Sequence, residues 1–270
     1  MTGVRGTGDK GPLSGIGVLV TRPEHQSQRL ADLISGLGGE PLLFPAMEIV
    51  AQPDSATAPV LKRLAQFDLA VFTSSNAARL AMQRITKTGG VPAGLHIAAL
   101  GPGTAAELKK FGVGEMITPE SDFDSEALLD ALSGLQFAGK CVVIFRGQGG
   151  RDLLGESLRQ RGAQVEYVEC YRRVRPRRDL AEMMPLWQQG SLRACVATSS
   201  EIVINLFDMA GEAGRPWLCQ TPMFVSHPRV AATAFAFGIH TVFVAGTGDE
   251  ALASGLETWF TRLRQVVSVT

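Results

Sequence analysis

Short apolar runs alternate with amphipathic segments along most of the chain. Amphipathic helical patterns cover residues 26–37, 77–85, 105–111, 126–132 and 153–161. The apolar runs have the length and composition of buried β-strands, and they lie at residues 17–21, 69–72, 96–100, 141–145, 194–197, 223–225 and 241–244. Because these strands are apolar on both faces, the pattern predicts an α/β architecture with parallel sheets covered by helices.

The second half of the chain repeats motifs of the first half in the same order. Arg22, at the end of the first predicted strand, recurs 124 positions later as Arg146. A Thr-Ser-Ser motif at residues 73–75 recurs at residues 198–200. Several such blocks at a nearly constant offset indicate an internal duplication of one α/β unit. At 270 residues, the chain is long enough for two domains of ordinary size.

Two extended segments hold equivalent places in the two copies. Residues 165–174 are rich in β-branched and aromatic residues, which favour a strand, and residues 41–50 are their counterpart. Tyr171 stands opposite Met47, and this is where the two segments differ most in chemistry. We predict that the two segments join the domains and that Tyr171 faces the cleft between them.

Polar groups and glycines follow the predicted strands, at the edge where open parallel sheets bind ligands. Free N–H groups at helix N-termini suit carboxylates or phosphates there. Ser75 and Ser200 have the alternative role of ordinary N-caps, and Arg22 and Arg146 can contact an anion or form structural ion pairs. The candidate binding residues are Arg22, Thr73, Ser74, Ser75, Asn76, Gly101, Gly103, Thr104, Arg146, Thr198, Ser199, Ser200, His227 and Arg229.

Composition and charge narrow the classes of function. The 26 basic and 26 acidic residues leave no net field that would attract nucleic acid. A basic run at residues 172–178 lacks interleaved aromatic residues, so a solvated linker or the attraction of an acidic substrate competes with nucleic-acid binding. The sequence contains no nucleotide-binding glycine motif, hydrolase triad or metalloprotease motif.

Cysteine and histidine spacing predicts free thiols in a reducing cytoplasm and no metal site, because there is no CxxC pair and no ligand-like spacing. Residues 1–14 are rich in glycine and predict a disordered tail without a signal peptide or membrane span. A two-lobed periplasmic binding protein would share the predicted cleft, but it would need a signal peptide.

The order and spacing of six motifs across residues 15–260 resemble the uroporphyrinogen-III synthase family. The motifs are Val20-Thr21-Arg22-Pro23, Phe72-Thr73-Ser74-Ser75-Asn76, Gly101-Pro102-Gly103-Thr104-Ala105, Cys170-Tyr171-Arg172-Arg173, Thr198-Ser199-Ser200 and Glu250-Ala251-Leu252. The resemblance implies two flavodoxin-like parallel-sheet domains joined by a two-stranded antiparallel linker. Domain 1 is then 15–42 plus 171–270, domain 2 is 49–167, and the linker strands lie around 41–50 and 165–174. Counting strands alone leaves two contiguous halves equally open.

The resemblance also implies an activity in haem (tetrapyrrole) biosynthesis. It implies a carbon–oxygen lyase that cyclises hydroxymethylbilane to uroporphyrinogen III, with loss of water and inversion of ring D. A tyrosine on the linking strand is the favoured acid in the family, and Tyr171 matches it, although an aromatic that only packs is the alternative. Thr104 matches a threonine that helps to bind or orient the substrate. His227 and Arg229 stand where many relatives carry Gly-x-x-Thr, so the resemblance by itself does not assign them the role of that loop.

The same resemblance implies a cytoplasmic monomer that needs no cofactor. Its small-molecule substrate is hydroxymethylbilane, and the preceding pathway enzyme is a candidate protein partner. Neither nucleic acid nor a membrane is expected as a partner.

Overall fold

The structure is a computed structural model, and it describes residues 11–267, with side chains through residue 265. The strands are β1 (Gly17–Val20), β2 (Glu40–Leu43), β3 (Glu48–Ala51), β4 (Leu69–Phe72), β5 (His96–Ala99), β6 (Cys141–Gly147), β7 (Gln164–Val174), β8 (Leu192–Ala197), β9 (Met223–Val225) and β10 (Val242–Val244). The helices are α1 (Gln28–Gly36), α2 (Asp54–Leu61), α3 (Ser75–Lys87), α4 (Pro102–Lys109), α5 (Ser125–Ala131), α6 (Leu153–Gln160), α7 (Met184–Gln188), α8 (Ser200–Gln220, broken at Gly211), α9 (Pro228–Ala236) and α10 (Asp249–Val267).

The strands of residues 11–267 form two five-stranded sheets. The first has the order β10-β9-β8-β1-β2, and all of its neighbouring strands are parallel. The second has the order β3-β7-β6-β4-β5, in which β7, β6, β4 and β5 run parallel. The prediction of an α/β fold with parallel sheets is confirmed.

The chain divides into two compact units, each built on one sheet. Unit 1 comprises residues 1–48 and 174–270, and unit 2 comprises residues 49–173. In unit 1, Val18 and Val20 of β1 pack with Leu256 and Phe260 of α10 in a buried core. In unit 2, alternate residues of the central strand β4 enter two separate cores, one holding Phe72 and the other holding Val71. The sheet of unit 2 is therefore buried on both faces, as its apolar strands predict.

The two connecting segments, predicted around residues 41–50 and 165–174, contain β2, β3 and β7. Residues 41–50 do not form one strand: β2 is the edge strand of the first sheet, whereas β3 lies beside β7 in the second. Pro41 is tolerated in β2 because an edge strand leaves one row of backbone groups unpaired. β7 is one continuous strand of 11 residues that ends at Val174. Tyr171 therefore belongs to unit 2 and its core, not to the domain that was expected to begin at residue 171.

The predicted tail is too long. Residues 1–10 lie outside the described part of the chain, but Gly11 to Ser14 belong to the structure of unit 1. The Leu13 side chain is fully buried in the core, and its backbone N–H donates to the Leu37 carbonyl at 2.9 Å. Because this stretch is rich in glycine, its sequence did not indicate that Leu13 packs into the core.

A helix needs about 20 predominantly apolar residues to cross a bilayer. Among the residues that the structure describes, no helix is long and apolar enough to cross a membrane.

Candidate functional site

A cavity of about 220 Å³ lies within unit 2 at the carboxyl ends of β4, β6 and β7. Ligands of open parallel sheets bind at this edge because the loops there lead into helix N-termini. Three groups predicted from the sequence to be functional meet in it: the Thr73-Ser74 pair, Arg146 and Tyr171. Its other lining residues are Leu100, Phe123, Asp124, Ser125, Ile144, Gly147, Gly150, Arg151, Leu154, Tyr167 and Arg173.

Tyr171 lines this cavity from the core side. Only 1% of its surface is exposed, so its ring is a core residue of unit 2 as well as part of the cavity wall. The ring lies directly against Gly147, where an added Cβ would come within 2.6 Å of the tyrosine Cζ. The Tyr171 hydroxyl lies 3.1 Å from the Ser74 Oγ and accepts from the Arg173 guanidinium at 3.5 Å. The phenol therefore sits between a hydroxyl and a cation.

Ser74 and Thr73 are fixed by the start of α3. Ser74 is the N-cap of that helix, and its Oγ accepts from the Ala77 N–H at 3.2 Å. The Thr73 hydroxyl donates to the Phe145 carbonyl at 3.3 Å. The cap on this helix is Ser74 and not Ser75, so the N-cap alternative was assigned to the wrong serine. Because the cap uses only an acceptor site of Ser74, its own proton stays available to a neighbour.

Arg146 ends β6 as a nearly buried cation, with 11% of its side chain exposed. It forms ion pairs with Asp152 at 2.7 Å and Glu169 at 3.8 Å, and its guanidinium lies 4.3 Å from the centre of the Tyr167 ring. The structural ion pair that the sequence left open is thus present. The Arg146 Nε is nevertheless buried without a hydrogen-bond acceptor, which is an uncommon and costly state for an N–H group.

The glycine loop that begins α4 packs against protein. Gly101 is the N-cap of α4, and a Cβ there would meet the Phe123 Cβ at 3.1 Å. A Cβ on Gly103 would meet the Ser75 Oγ at 3.1 Å. The space that the sequence reserved for a ligand beside these glycines is therefore occupied by side chains. Thr104 is 5% exposed, and neither this loop nor Asn76 lines the cavity.

The candidate residues of unit 1 lie at the equivalent edge of the first sheet. Arg22, after β1, forms an ion pair with Asp249 at the start of α10. The segments that follow β8 and β9 are joined by two hydrogen bonds. The Thr233 hydroxyl of α9 donates to the Ser200 Oγ at the start of α8 at 2.8 Å, and the Ser226 hydroxyl donates to the Thr198 carbonyl at 3.2 Å.

The helix starts in unit 1 also have side-chain caps. Ser199 is the N-cap of α8 and accepts from the Ile202 N–H at 3.2 Å, so here too the cap is one residue earlier than proposed for Ser200. His227 is the N-cap of α9, and its Nδ1 accepts from the Arg229 N–H at 3.1 Å. This histidine already has a structural partner where the family pattern places a glycine.

Among the residues of the unit 2 cavity that the sequence did not predict are Phe123, Gly147, Arg151 and Arg173. Arg173 was considered only as a member of a basic run. Phe123 had a usable signal, because it is a large apolar residue in the polar stretch Ser121-Asp122-Phe123-Asp124-Ser125. Gly147 had none, because its neighbour Tyr171 is distant in the sequence.

The two buried thiols do not contribute a nucleophile. Burial raises the pKa of the Cys170 and Cys195 thiols to about 12, so neither ionises near neutral pH. Within residues 11–267, no group of three or more His, Cys, Asp and Glu side chains is arranged to hold a metal ion.

Known proteins resemble this chain in both sequence and fold. A family model described as uroporphyrinogen-III synthase HemD matches residues 28–252. The uroporphyrinogen-III synthase of Salmonella typhimurium is 32% identical over 244 residues, which cover 89% of this chain and 99% of the relative. The enzyme of the same name from Escherichia coli is 31% identical with the same coverage.

Two solved structures share the fold at low sequence identity. A mutant uroporphyrinogen III synthase from Thermus thermophilus superimposes with a TM-score of 0.60 at 21% identity, covering 93% of this chain and 99% of that one. The uroporphyrinogen-III synthetase of Helicobacter pylori gives a TM-score of 0.54 at 15% identity, covering 94% and 100%. Since the family model spans most of the sequence and full-length relatives exceed 30% identity, the chain belongs to the uroporphyrinogen-III synthase family.

Proposed function

We propose that this chain catalyses the closure of hydroxymethylbilane to uroporphyrinogen III, with loss of water and inversion of ring D. Family membership supports the reaction, and one observation carries its assignment to a site. Tyr171 places its hydroxyl between the Ser74 Oγ and the Arg173 guanidinium at the ligand-binding edge of a parallel sheet. In this proposal the enzyme is a cytoplasmic monomer that uses no cofactor.

The reaction requires little acid–base catalysis from the protein. The lone pair of the terminal pyrrole nitrogen expels the hydroxyl group, and one proton donor converts that group to water. The substituted carbon of ring D attacks the resulting azafulvene, which gives a spiro intermediate. The spiro intermediate then opens, and ring D closes again in the inverted orientation. A proton is lost when the new pyrrole regains aromaticity, and this proton restores the donor. Holding the chain in the right conformation is the larger task.

The surroundings of Tyr171 suit the role of donor. The Ser74 Oγ already accepts from the Ala77 N–H, so its own proton is free to be donated to the phenol oxygen. Arg173 donates to the same oxygen. With two donors directed at its oxygen, the phenol directs its own proton to an outside acceptor, and the phenolate formed after transfer is stabilised.

The carboxylates of the substrate require several further groups. Hydroxymethylbilane carries eight of them, and the predicted binding residues of each unit, taken separately, are the candidates to hold them. Arg146 and the start of α3 are the groups in unit 2, and Arg22 and the loops after β8 and β9 are those in unit 1. Each set combines a cation with the N-terminus of a helix, which is the arrangement that favours anions.

The strand orders support a duplicated flavodoxin-like architecture. In unit 1, the order β2-β1-β8-β9-β10 is the flavodoxin pattern 2-1-3-4-5. In unit 2, β7-β6-β4-β5 begins the same pattern, and Ile117 adds a parallel bridge to Ala98 of β5. We propose that both units are flavodoxin-like copies and that the segments containing β3 and β7 form the antiparallel linker.

The test is incubation with freshly made hydroxymethylbilane, followed by oxidation and chromatographic separation of the porphyrin isomers. The proposed function requires type III product, and type I product alone would refute it. Tyr171→Phe should lower kcat by roughly 10²- to 10⁴-fold, because that is the usual contribution of a general acid.

Tyr167→Phe is the matched control for Tyr171→Phe, since it removes the second phenol of the same strand. The Tyr167 hydroxyl donates to the backbone carbonyl of Asp152 at 3.3 Å, so its loss should lower kcat at most about tenfold. If the two variants lose activity equally, Tyr171 is not the donor.

A further inference from the structure

Phe123 stands at the unit 2 cavity as an exposed aromatic ring. Its surface is 51% exposed although it lines a cavity whose other walls include Tyr171 and Arg146. The ring has an apolar face available in a site that is otherwise polar and cationic. Neither the predicted site nor the proton-transfer step described above assigns this residue a role.

The backbone holds Phe123 in place from both sides. Asp122 has a φ of 51°, a left-handed conformation that few residues other than glycine adopt without cost. Asp124 is the N-cap of α5, and its carboxylate accepts from the Ala127 N–H at 2.9 Å. Gly101 closes the third side, because it leaves only enough room for the Phe123 Cβ. Because the backbone and Cβ of Phe123 are held in this way, stacking on its ring costs less conformational entropy.

Cations face the cavity around this ring. Arg151 is largely exposed, and its pair with Glu126 is a loose one at 3.6 Å. The buried Nε of Arg146 lacks an acceptor. Asp124 is the acidic side chain among the lining residues, and its carboxylate is already engaged at the positive N-terminus of α5. A ligand with carboxylate groups would therefore find partners here.

The volume of the cavity limits what it can hold. Sites for drug-sized ligands measure roughly 300–1,000 Å³, so a cavity of about 220 Å³ is too small for a tetrapyrrole. It suits one pyrrole ring with its two short carboxylate chains.

We propose that this cavity is a subsite for a single pyrrole ring of the substrate, which stacks on Phe123 and directs its carboxylates to Arg151 and Arg146. The inference rests on the proposed function, since it takes hydroxymethylbilane as the ligand. It makes Phe123 a positioning residue: the ring holds one end of a flexible chain in the cavity that Tyr171 also lines. Offset stacking of two aromatic rings is its physical basis.

The first test separates binding from chemistry in the full-length enzyme. Phe123→Ala should raise the KM for hydroxymethylbilane roughly two- to tenfold, as the loss of one stacking contact predicts, with a smaller change in kcat. Phe123→Tyr keeps the aromatic ring and should therefore have a KM close to that of the wild-type enzyme. Phe235→Ala is the matched control, because this phenylalanine is 55% exposed on α9 of unit 1. Circular dichroism melting curves verify that each variant is folded.

The second test uses porphobilinogen, a monopyrrole with one acetate and one propionate chain, as a probe of a one-ring site. It should inhibit the wild-type enzyme competitively at millimolar concentration. Phe123→Ala and Arg151→Gln should each weaken this inhibition severalfold, whereas Phe235→Ala should not. The same assay with pyrrole lacking both chains distinguishes stacking alone from stacking with carboxylate recognition.

The outcomes separate this inference from the proposed function. If the wild-type enzyme yields no type III product, the proposed function fails. If it yields type III product but Phe123→Ala and Phe235→Ala have the same KM and the same porphobilinogen inhibition, the one-ring subsite alone is overturned. An equal rise of the KM in Phe123→Ala and Phe123→Tyr would also overturn it. Such a result would show that the loop has a packing role and that the ring itself has none.

Discussion

The position of Tyr171 depends on a residue that has no side chain. Gly147 lies under the tyrosine ring, and a Cβ there would come within 2.6 Å of Cζ and 2.9 Å of the hydroxyl oxygen. A contact so close cannot be absorbed without moving the ring. Because the ring is also part of the unit 2 core, packing and the direction of the hydroxyl are controlled by the same contact.

Gly147→Ala should therefore damage both stability and activity. We expect the free energy of unfolding to fall by about 1–3 kcal/mol, which is typical of an overpacked core. We expect kcat to fall toward that of Tyr171→Phe, because the hydroxyl is displaced from Ser74. Chemical denaturation and the isomer assay measure the two effects. Gly150→Ala is the control, since its nearest neighbour is an ordinary contact at 3.6 Å; equal behaviour of both variants would contradict this explanation.

At this scale, the sequence identified residues whose position follows from parallel strands. Thr73, Arg146 and Tyr171 lie at or near the carboxyl ends of neighbouring strands, so the topology alone brings them together. The places of Phe123 and Gly147 in the site depend on tertiary packing, that is, on which side chain fills which space. No local sequence pattern indicates this packing. The same limit explains Gly101, whose predicted opening for a ligand is filled by Phe123.

At the scale of elements, most strands were predicted well, including the edge strands β5 and β10, whereas the edge strands β2 and β3 were not. β4 and β9 span the predicted apolar runs because their residues are buried on both faces. β2 and β3 are exposed at their ends and half-buried in between, so they lack a continuous apolar signal. Their assignment to different sheets is decided by tertiary partners, which a repeat in the sequence does not reveal.

Asp68 joins β4 and β6 at the end of the sheet opposite the cavity. Its carboxylate accepts from the Lys140 ammonium at 2.9 Å and from the Cys141 N–H at 2.8 Å. The Lys140 hydrogen bond first, and then the Cys141 N–H, hold the pKa of Asp68 below its ordinary value of 3.8. A lowered pKa means that the stabilisation is complete above the unfolded value and is lost as the pH falls through the folded value.

Asp68→Asn should consequently destabilise the protein near neutral pH and not in acid. The pair is partly exposed, with 38% of the Asp68 side chain accessible, so the loss should be only about 1 kcal/mol. The difference from wild type should shrink below pH 3.8 as the native carboxylate takes up its proton. Urea unfolding at several pH values measures this, with Lys140→Gln as the partner variant in a double-mutant cycle. A difference that is independent of pH would exclude the ionic explanation.

At the scale of the whole chain, the repeat in the sequence and the units of the structure have different boundaries. The first copy contributes β1 and β2 to the sheet of unit 1 and β4 and β5 to that of unit 2. The second copy contributes β6 and β7 to unit 2 and its remaining strands to unit 1. Each unit thus contains a strand–helix–strand segment of one copy and the rest of the other. Strand counts cannot reveal such an exchange, because either division gives the same number.

Because unit 2 is continuous in the sequence and unit 1 is not, we expect the two units to differ in their ability to fold alone. Unit 2 is the continuous segment 49–173, and it contains both cores of its sheet. Expressed alone, this segment should fold and unfold cooperatively, because single domains below about 150 residues usually behave as two-state systems. Circular dichroism melting and amide NMR dispersion provide the measurement.

Unit 1 is the matched comparison, because its β1 and β2 precede the segment that is removed. Residues 174–270 alone keep β8, β9 and β10 but lose β1, whose Val18 and Val20 are fully buried against α10. This fragment should therefore stay unfolded, whereas residues 11–48 joined to it through a short glycine linker should restore a cooperative transition. If residues 174–270 fold without β1, or residues 49–173 fail to fold, the units are not the folding domains of this chain.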